Sequence, residues 1–268
     1  MADATESRSR RRLTPRRVAG AVLRRVPRWP FRPLLPVWLL RVPFRFWLSV
    51  LASNPDRRAA VRALLQLHDD TFSALDGAAI AYDGGVHAKH RLTRYHDFFI
   101  ERVRPGERVL DIGSGKGELA HDLVERAAAS VVGIENDPHH LEFALAHYAG
   151  PGVEFVDGDV RQILPGGHFD VVVLSNVLEH FEHRPELLRR LSDSATPRCF
   201  LIRVPLLERD WTVPLRKEVG LPHFSDPGHF VEYTPERFRA ELAEAGLTVS
   251  ELTLVWGEIW AVAEGVHA

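Results

Sequence analysis

The sequence predicts an α/β fold: a doubly wound, mainly parallel sheet preceded by a basic N-terminal extension. From residue 108 onward, short apolar runs rich in β-branched residues alternate with amphipathic stretches of helical periodicity. Strands of this continuous apolar kind belong to sheets that helices cover on both faces. The 268 residues, of which 45% are hydrophobic, suffice for one such domain with an extension. This composition excludes a disordered or collagen-like chain.

Seven runs have the length and composition of strands, and helical patterns separate most of them. The predicted strands cover residues 108–112, 130–135, 153–157, 169–175, 199–204, 247–255 and 258–263. Helices are predicted over 56–75, over 88–103, near 117–128, 138–148 and 178–191, and over 235–245. Right-handed crossovers between parallel strands then place a ligand beyond the carboxyl ends of the strands.

Charge divides the chain into two parts. Residues 1–66 contain fifteen arginines, no lysine and three acidic residues, a net charge of +12, and the remainder carries −14. The turn residues Asp83-Gly84-Gly85 place the boundary near residue 80. The predicted domains are therefore an arginine-rich extension over 1–80 and a catalytic domain over 81–268. A lid insertion is expected over about 205–233, where proline, glycine and histidine are frequent.

Aromatic residues alternate with arginine in the extension. One hypothesis is an interfacial membrane segment, with rings at headgroup depth and guanidinium groups on anionic lipid. Packing of these rings on the catalytic body is the other, and nucleic acid is less favoured because lysine is missing. Proline and arginine interrupt the apolar run, which argues against a transmembrane helix. The single Cys199 favours a reducing, cytoplasmic location, with membrane association through the extension.

A glycine-rich turn, VLDIGSGKGELA (109–120), follows the first predicted strand. Asp111 lies at the strand end, and Gly113, Gly115 and Gly117 permit positive φ and close approach of a ligand to the backbone. The GxGxG spacing differs from the GxGxxG of dinucleotide-binding loops. The turn alone therefore indicates a ligand loop without naming the ligand.

Two further acidic residues lie at the carboxyl ends of the next strands. Glu135 ends the second strand, where a carboxylate can accept hydrogen bonds from both ribose hydroxyls of an adenosine cofactor. Asp159 follows the third strand, where it could accept from an adenine amino group. The coincidence of these acids with the glycine turn at one sheet edge indicates a nucleoside cofactor.

In four segments the chain resembles the class I S-adenosylmethionine-dependent methyltransferases: VLDIGSGKGELA, VVGIEND, VEFVDGDV and FDVVVLSNVLEHF. The resemblance covers roughly residues 88–263 and implies S-adenosylmethionine as cofactor in a seven-stranded sheet with a reversed last strand. It also implies roles by position: Gly113, Gly115 and Gly117 line the methionine side, Asp111 orders the loop, Glu135 holds the ribose, Asp159 holds the adenine, and Asn176 lies close to the sulfonium.

The segment after the fourth strand offers groups that could activate an acceptor hydroxyl, which a base or a metal must help to lose its proton. If a helix begins near Asn176, then Asn176, Glu179 and His180 lie on one face and could hold Mg²⁺. Glu179, His180 and His229 resemble the metal ligands of magnesium-dependent O-methyltransferases, among them the small-RNA 2′-O-methyltransferases and the ubiquinone-pathway enzymes. The RNA enzymes usually have glutamate where this chain has Asn176. A metal-free base role for His180 and a structural role remain alternatives.

Candidate contacts to the acceptor are His87, His90 and Tyr95, before the first strand, and His223 in the lid insertion; a polar surface role is the alternative for each. The sequence thus predicts an O-methyltransferase that acts on a hydroxyl of a polar, saccharide or lipid-linked small molecule, with a divalent cation assisting. Two alternatives stay open. One is an RNA ribose 2′-O-methyltransferase that uses the arginine-rich extension as a clamp, and the other is a non-catalytic cofactor-binding protein that docks on a membrane or partner.

Overall fold

The structure, a computed structural model, describes residues 37–265. The chain divides into two compact units, 1–55 and 56–268. In the first unit the described residues form helix α1, Val37–Ala52, with Pro43 inside it. Among residues 37–265, every helix is too short or too polar to cross a bilayer.

The second unit is built on one seven-stranded sheet, as expected. Its strand order is β3-β2-β1-β4-β5-β7-β6, and β7 runs antiparallel to both neighbours, which confirms the reversed last strand. Parallel pairing joins β1 through β5, so their carboxyl ends share one edge. The strands are β1 Arg108–Ile112, β2 Ser130–Glu135, β3 Val153–Asp157, β4 Val171–Ser175, β5 Cys199–Pro205, β6 Leu247–Val255 and β7 Glu258–Gly265.

Side chains that alternate along the strands enter two separate cores. Leu110 and Ile112 of β1 belong to one buried cluster, whereas Val109 belongs to the other. This alternation explains why the strands are apolar throughout. The helices are α2 Arg57–Tyr82, α3 Lys89–Thr93, α4 Tyr95–Ile100, α5 Glu118–Ala127, α6 Pro138–His147, α7 Arg184–Ala195, α8 Thr212–Glu218 and α9 Pro235–Glu244.

Two predicted helices were wrong in detail. The single helix expected over 88–103 is broken into α3 and α4, because Arg94 adopts a left-handed φ of 52°. The helix expected near 178–191 begins as one 3₁₀ turn, Leu178–His180, and α7 starts only at Arg184. Pro185 explains this late start, since proline fits the first turn of a helix but not its interior.

The expected common helical face of Asn176, Glu179 and His180 is therefore wrong. Asn176 has a φ of 56° and lies before the 3₁₀ turn. Glu179 is buried and His180 is exposed, so the turn directs the two side chains differently.

The segment over 205–233, whose role as a lid stays a prediction, is fastened to α2. Nη2 of Arg216 lies 2.6 Å from Oδ1 of Asp69, and Leu65 packs against Val219 and Leu221. Nη1 of Arg62 donates to the carbonyl of Gly220 at 3.0 Å. Helix α2 thus packs with the catalytic unit. The domain boundary near residue 80 stays a prediction, and the division between compact units falls between Pro55 and Asp56.

We expect Gly133→Ala to lower the free energy of unfolding by about 1–3 kcal/mol, as overpacking of a filled core does. A Cβ at Gly133 would lie 2.7 Å from Oγ of Ser114 and 2.9 Å from Cδ1 of Phe155. Urea denaturation of the purified protein measures the change. The matched control is Gly77→Ala in α2, where the space is open. Alanine there is expected to raise stability by about 0.5–1 kcal/mol, and a loss equal to that of Gly133→Ala would contradict the packing argument.

Candidate functional site

The glycine-rich turn after β1 folds over the end of β2. The backbone N–H groups of Gly113 and Ser114 both donate to the carbonyl of Ile134, at 2.8 and 3.1 Å. Gly113 has a φ of 65°, and a Cβ on it would lie 2.8 Å from Cγ2 of Val177. Only glycine fits this position without strain, and the exposed loop backbone faces the sheet edge.

Glu135 holds the same turn from the other side. Its Oε2 accepts from the N–H of Gly115 at 2.7 Å, and its Oε1 accepts from the N–H groups of Asn136 and Asp137 at 2.9 and 2.7 Å. A carboxylate has about four acceptor positions, so capacity remains for a ligand hydroxyl. The role of Glu135 on a ribose stays a prediction.

Asp111 lies beneath the turn and is only 2% exposed. Its Oδ2 has no hydrogen-bond partner among residues 37–265. Burial, together with the negative charge of Glu135, raises the pKa of Asp111 to about 7. A raised pKa of this kind beside a ligand-binding loop is typical of a functional residue.

Two cavities open along this edge of the sheet and share three lining residues, Gly113, Gly115 and Asn176. The larger, of about 440 Å³, is also lined by Glu135, Asp159 and His180. The smaller, of about 190 Å³, is lined by Asp111 and by basic residues. The structure therefore brings all the predicted cofactor residues except Gly117 to two adjoining cavities.

Position 117 requires glycine because of packing, and Gly117 does not line either cavity. A Cβ there would lie 2.6 Å from Cζ of Phe155 and 3.2 Å from Cβ of Ala144. Its φ of 86° begins α5 in the left-handed region. The contact of Gly117 with a cofactor stays a prediction.

Asp159, which lines the larger cavity, is held by Arg161. Nε of Arg161 lies 2.9 Å from each carboxylate oxygen, and the backbone N–H of Arg161 donates to Oδ1 at 2.8 Å. The Arg161 guanidinium keeps the pKa of Asp159 below its usual value. The site thus keeps an ionised acceptor at the end of β3.

The smaller cavity has a basic wall that includes Lys89, Lys116 and Arg203. Arg203 is 4% exposed; its Nε lies 2.6 Å and its Nη2 2.8 Å from the two carboxylate oxygens of Glu258, and it stacks on the ring of Tyr95 at 3.8 Å. Sequence reasoning did not identify Arg203. The signal that could have found it is a charged residue inside an otherwise apolar strand. Because Glu258 already pairs with Arg203, Lys89 and Lys116 are the cationic groups of this wall that suit a carboxylate ligand.

The predicted acceptor contacts separate into two groups. His90 and Tyr95 line the smaller cavity, and burial lowers the pKa of His90 to about 4 and raises that of Tyr95 to about 12. His87 lies 3.2 Å from Asp76, and the ring of His223 lies beside Phe224. Neither His87 nor His223 lines the two cavities. Both roles stay predictions.

Glu179, His180 and His229 come together although the expected helix is absent. One ligand atom from each lies within 4.8 Å of the others, and the two imidazole rings are 4.7 Å apart. Glu179 is fully buried, and neither carboxylate oxygen has a hydrogen-bond partner in the described part of the chain. Burial raises the pKa of Glu179 to about 7, and burial together with His229 lowers the pKa of His180.

Glu232 supports this cluster from behind, and sequence reasoning missed its role. Its Oε1 lies 3.1 Å from Nδ1 of His229 and accepts from Oγ of Ser225 at 2.7 Å, and Arg209 pairs with its other oxygen. Although burial opposes ionisation, the hydrogen bonds from His229 and Ser225 hold the pKa of Glu232 below its usual value. An ionised carboxylate only accepts, so Nδ1 of His229 donates its proton to Glu232, and Nε2 is the ring atom left for a metal.

Comparison with known proteins agrees with this geometry. A family model described as a methyltransferase domain matches residues 85–252, which is more than half of the chain. This chain belongs to the class I S-adenosylmethionine-dependent methyltransferases. The residues of the two cavities fit that cofactor, because the space at Gly115 is open and buried polar atoms of Asp111 and Asn176 have no partner in the described chain.

Two curated relatives of this methyltransferase are ubiquinone biosynthesis O-methyltransferases. That of Azorhizobium caulinodans is 32% identical over 168 residues, which cover 59% of this chain and 65% of that protein. The mitochondrial one of Schizosaccharomyces pombe is 31% identical over 165 residues, covering 56% of this chain and 60% of that protein. The chain thus spans less than two thirds of the length of either relative.

Solved structures share the fold at low identity. A chain of the complex between the Haloferax volcanii Trm112 methyltransferase activator and a methyltransferase has a TM-score of 0.57 and 18% identity, covering 71% of this chain and 96% of that one. A small RNA methyltransferase has a TM-score of 0.53 and 18% identity, covering 66% of this chain and 25% of that one. These likenesses show the Rossmann-like methyltransferase fold.

We expect Glu135→Gln to weaken the binding of S-adenosylhomocysteine by at least about tenfold. A hydrogen bond to a charged group contributes about 1.5–3 kcal/mol. The NH2 group of glutamine would replace one of the two acceptor oxygens and face either the N–H of Gly115 or those of Asn136 and Asp137. Isothermal titration calorimetry measures the affinity. Glu142→Gln on the exposed side of α6 is the matched control. Equal affinity for the two variants would contradict the assigned role of Glu135.

We expect Asp111→Asn to stabilise the cofactor-free protein, by an amount that grows between pH 5 and pH 8. The folded pKa of Asp111 is about 7, whereas the unfolded value is about 3.9. Because the folded pKa is raised, the wild type loses stability as the pH rises from the unfolded value to the folded one. The asparagine variant does not titrate there. Thermal unfolding at both pH values measures the difference, and an equal shift in melting temperature at both would contradict the raised pKa.

Proposed function

We propose that this methyltransferase acts on a hydroxyl oxygen of a small-molecule acceptor, and that Glu179, His180 and His229 hold a divalent cation beside it. The observation that carries the proposal is the Glu179 carboxylate, which is fully buried without a hydrogen-bond partner in the described chain. A buried carboxylate is costly unless it is paired, protonated or bound to a metal.

The donor set suits a divalent cation. One carboxylate and two imidazoles are common ligands of divalent metals, and ligating imidazoles usually donate their other N–H to a carboxylate. Glu232 supplies that acceptor to His229. When bound, the cation would lower the pKa of a coordinated acceptor hydroxyl.

The residues around Asn176 orient the reacting groups. S-adenosylmethionine supplies an electrophilic methyl group on its sulfonium. Asn176 borders both cavities, and its backbone is fixed because its N–H donates to the carbonyl of Arg203 at 2.7 Å. We assign the larger cavity to the adenosine half of the cofactor, near Glu135 and Asp159. The smaller, basic cavity takes the methionine carboxylate.

Transfer forms a carbon–oxygen bond, breaks the carbon–sulfur bond and releases the hydroxyl proton. His180 lines the larger cavity, and its lowered pKa keeps the imidazole neutral near pH 7. In a reaction without a cation, His180 is the base placed to take the proton. Loss of activity on adding a chelator indicates the cation route, and activity retained in chelator indicates that His180 acts as the base.

A hydroxyl acceptor is supported by the two O-methyltransferase relatives over more than half of this chain. The lid insertion, which contains His223, Asp226 and Arg209, favours a polar acceptor such as a saccharide or the head of a lipid-linked molecule. The assay that identifies it supplies labelled S-adenosylmethionine and fractionated cell extract, and mass spectrometry locates the transferred methyl group. A methyl group found on nitrogen or carbon would refute the O-methyltransferase assignment.

We expect Glu179→Gln to lower the affinity for Mn²⁺ by at least about tenfold and to reduce methyl transfer, while S-adenosylhomocysteine still binds. The amide lacks the charge that a divalent cation needs. Electron paramagnetic resonance of free Mn²⁺ measures the affinity without relying on activity. Glu182→Gln, an exposed glutamate three residues further on, is the matched control and is expected to behave as wild type.

Three outcomes separate the roles. Loss of Mn²⁺ binding in Glu179→Gln, with activity abolished by chelator, supports the cation site. Full activity in chelator with loss in His180→Ala overturns the cation and leaves His180 as a metal-free base. Wild-type activity in both variants refutes any catalytic role for this cluster.

A further inference from the structure

We propose that the arginine-rich segment ending with α1 docks the enzyme on an anionic lipid surface. Residues 1–55 contain twelve arginines, no lysine and two acidic residues, a net charge of +10. The compact unit 56–268 carries a net charge of −12. The positive charge is therefore concentrated in one unit, which is the arrangement expected for attraction to phosphate headgroups.

Helix α1 is apolar over most of its surface and carries one narrow polar stripe. Arg41, Arg45 and Ser49 follow one another at four-residue intervals and so lie along one side. Ser49 Oγ donates to the carbonyl of Arg45 at 3.0 Å, so this hydroxyl is satisfied within the helix. The opposite side consists of large apolar residues: Leu40, Phe44, Trp47 and Leu51.

The sequence of α1 favours lying in the membrane plane. Arg41, Pro43 and Arg45 lie within the described helix, and an arginine at the centre of a bilayer is costly. In the plane, the apolar side would enter the acyl boundary and the guanidinium groups would meet headgroup phosphates. Tryptophan suits that depth because its ring is apolar and its N–H is polar, and Trp38 and Trp47 of α1 are both exposed.

The aliphatic content of α1 distinguishes lipid from nucleic acid. Single-stranded nucleic acid is bound by stacking of bases on aromatic rings along a basic groove. Leucine and valine, which make up seven of the residues in Val37–Ala52, provide no stacking surface. A bilayer accepts aliphatic and aromatic side chains alike, so the whole apolar side of α1 is used.

The test uses the full-length protein and vesicle cosedimentation. Vesicles of phosphatidylcholine alone are compared with vesicles of three parts phosphatidylcholine to one part phosphatidylglycerol. We expect binding to the anionic vesicles to be at least about tenfold tighter and to weaken as sodium chloride is raised. An oligouridine competitor tests the nucleic-acid alternative in the same assay.

Charge and apolar contact are tested by separate variants. Arg41→Gln with Arg45→Gln is expected to weaken binding to anionic vesicles by about tenfold or more. Arg189→Gln with Arg239→Gln removes the same charge from exposed positions of the catalytic unit and is expected to change binding little. Leu40→Ser is expected to weaken binding several-fold, whereas Leu145→Ser on the exposed side of α6 is not.

Binding of S-adenosylhomocysteine is measured for every variant and is expected to stay at the wild-type value, which separates docking from folding and from methyl transfer. The proposal is overturned if vesicles do not bind the wild type, if neutral vesicles bind equally, or if the α1 variants bind as tightly as their controls. Displacement from anionic vesicles by the oligouridine at equal phosphate concentration would also overturn it, in favour of nucleic acid.

Discussion

The hydrogen bonds that Glu135 accepts from three backbone N–H groups are the interaction on which the cofactor site depends. The bond from Gly115 joins the end of β2 to the glycine-rich turn after β1, and those from Asn136 and Asp137 fix the residues that follow β2. A pair of bonds from the turn also reaches the carbonyl of Ile134. The turn contains residues with positive φ, which have no regular backbone ladder of their own. A single carboxylate therefore ties the glycine-rich loop to the end of β2.

Buried carboxylates in this enzyme fall into two classes. In the described chain, three of them have partners: Glu107 pairs with Arg198, Glu232 pairs with Arg209, and Glu135 accepts from three backbone N–H groups. Glu179 and one oxygen of Asp111 have no such partner. Since an unpaired buried acid destabilises the fold, its retention at the ligand edge indicates that binding or catalysis uses it.

The predicted lid segment over 205–233 is held at two places. Helix α2 holds α8 and the following residues through Arg216, Asp69 and a small apolar cluster. At its far end Glu232 gathers Arg209, Ser225 and His229, and the N–H of Phe230 donates to the carbonyl of Glu179 at 2.8 Å. A sequence segment that is rich in loops is thus fixed where it delivers His229.

The sequence by itself determined the sheet. The bounds of β1, β2, β3 and β6 match the predicted runs, because a strand covered on both faces must be apolar throughout, and turn residues end it. Position along parallel strands also placed Glu135, Asp159 and Asn176 at one edge, since the carboxyl ends of parallel strands meet there.

Only the tertiary structure decided how the acceptor side is built. Helical periodicity placed Asn176, Glu179 and His180 on one face, but Pro185 delayed the helix, and a 3₁₀ turn set Glu179 inside and His180 outside. Arg203 and Glu232 were missed because their partners, Glu258 and His229, depend on strand pairing and lid packing. Local propensity is encoded in neighbouring residues, whereas the meeting of His229 with Glu179 requires contacts fifty residues apart in the chain.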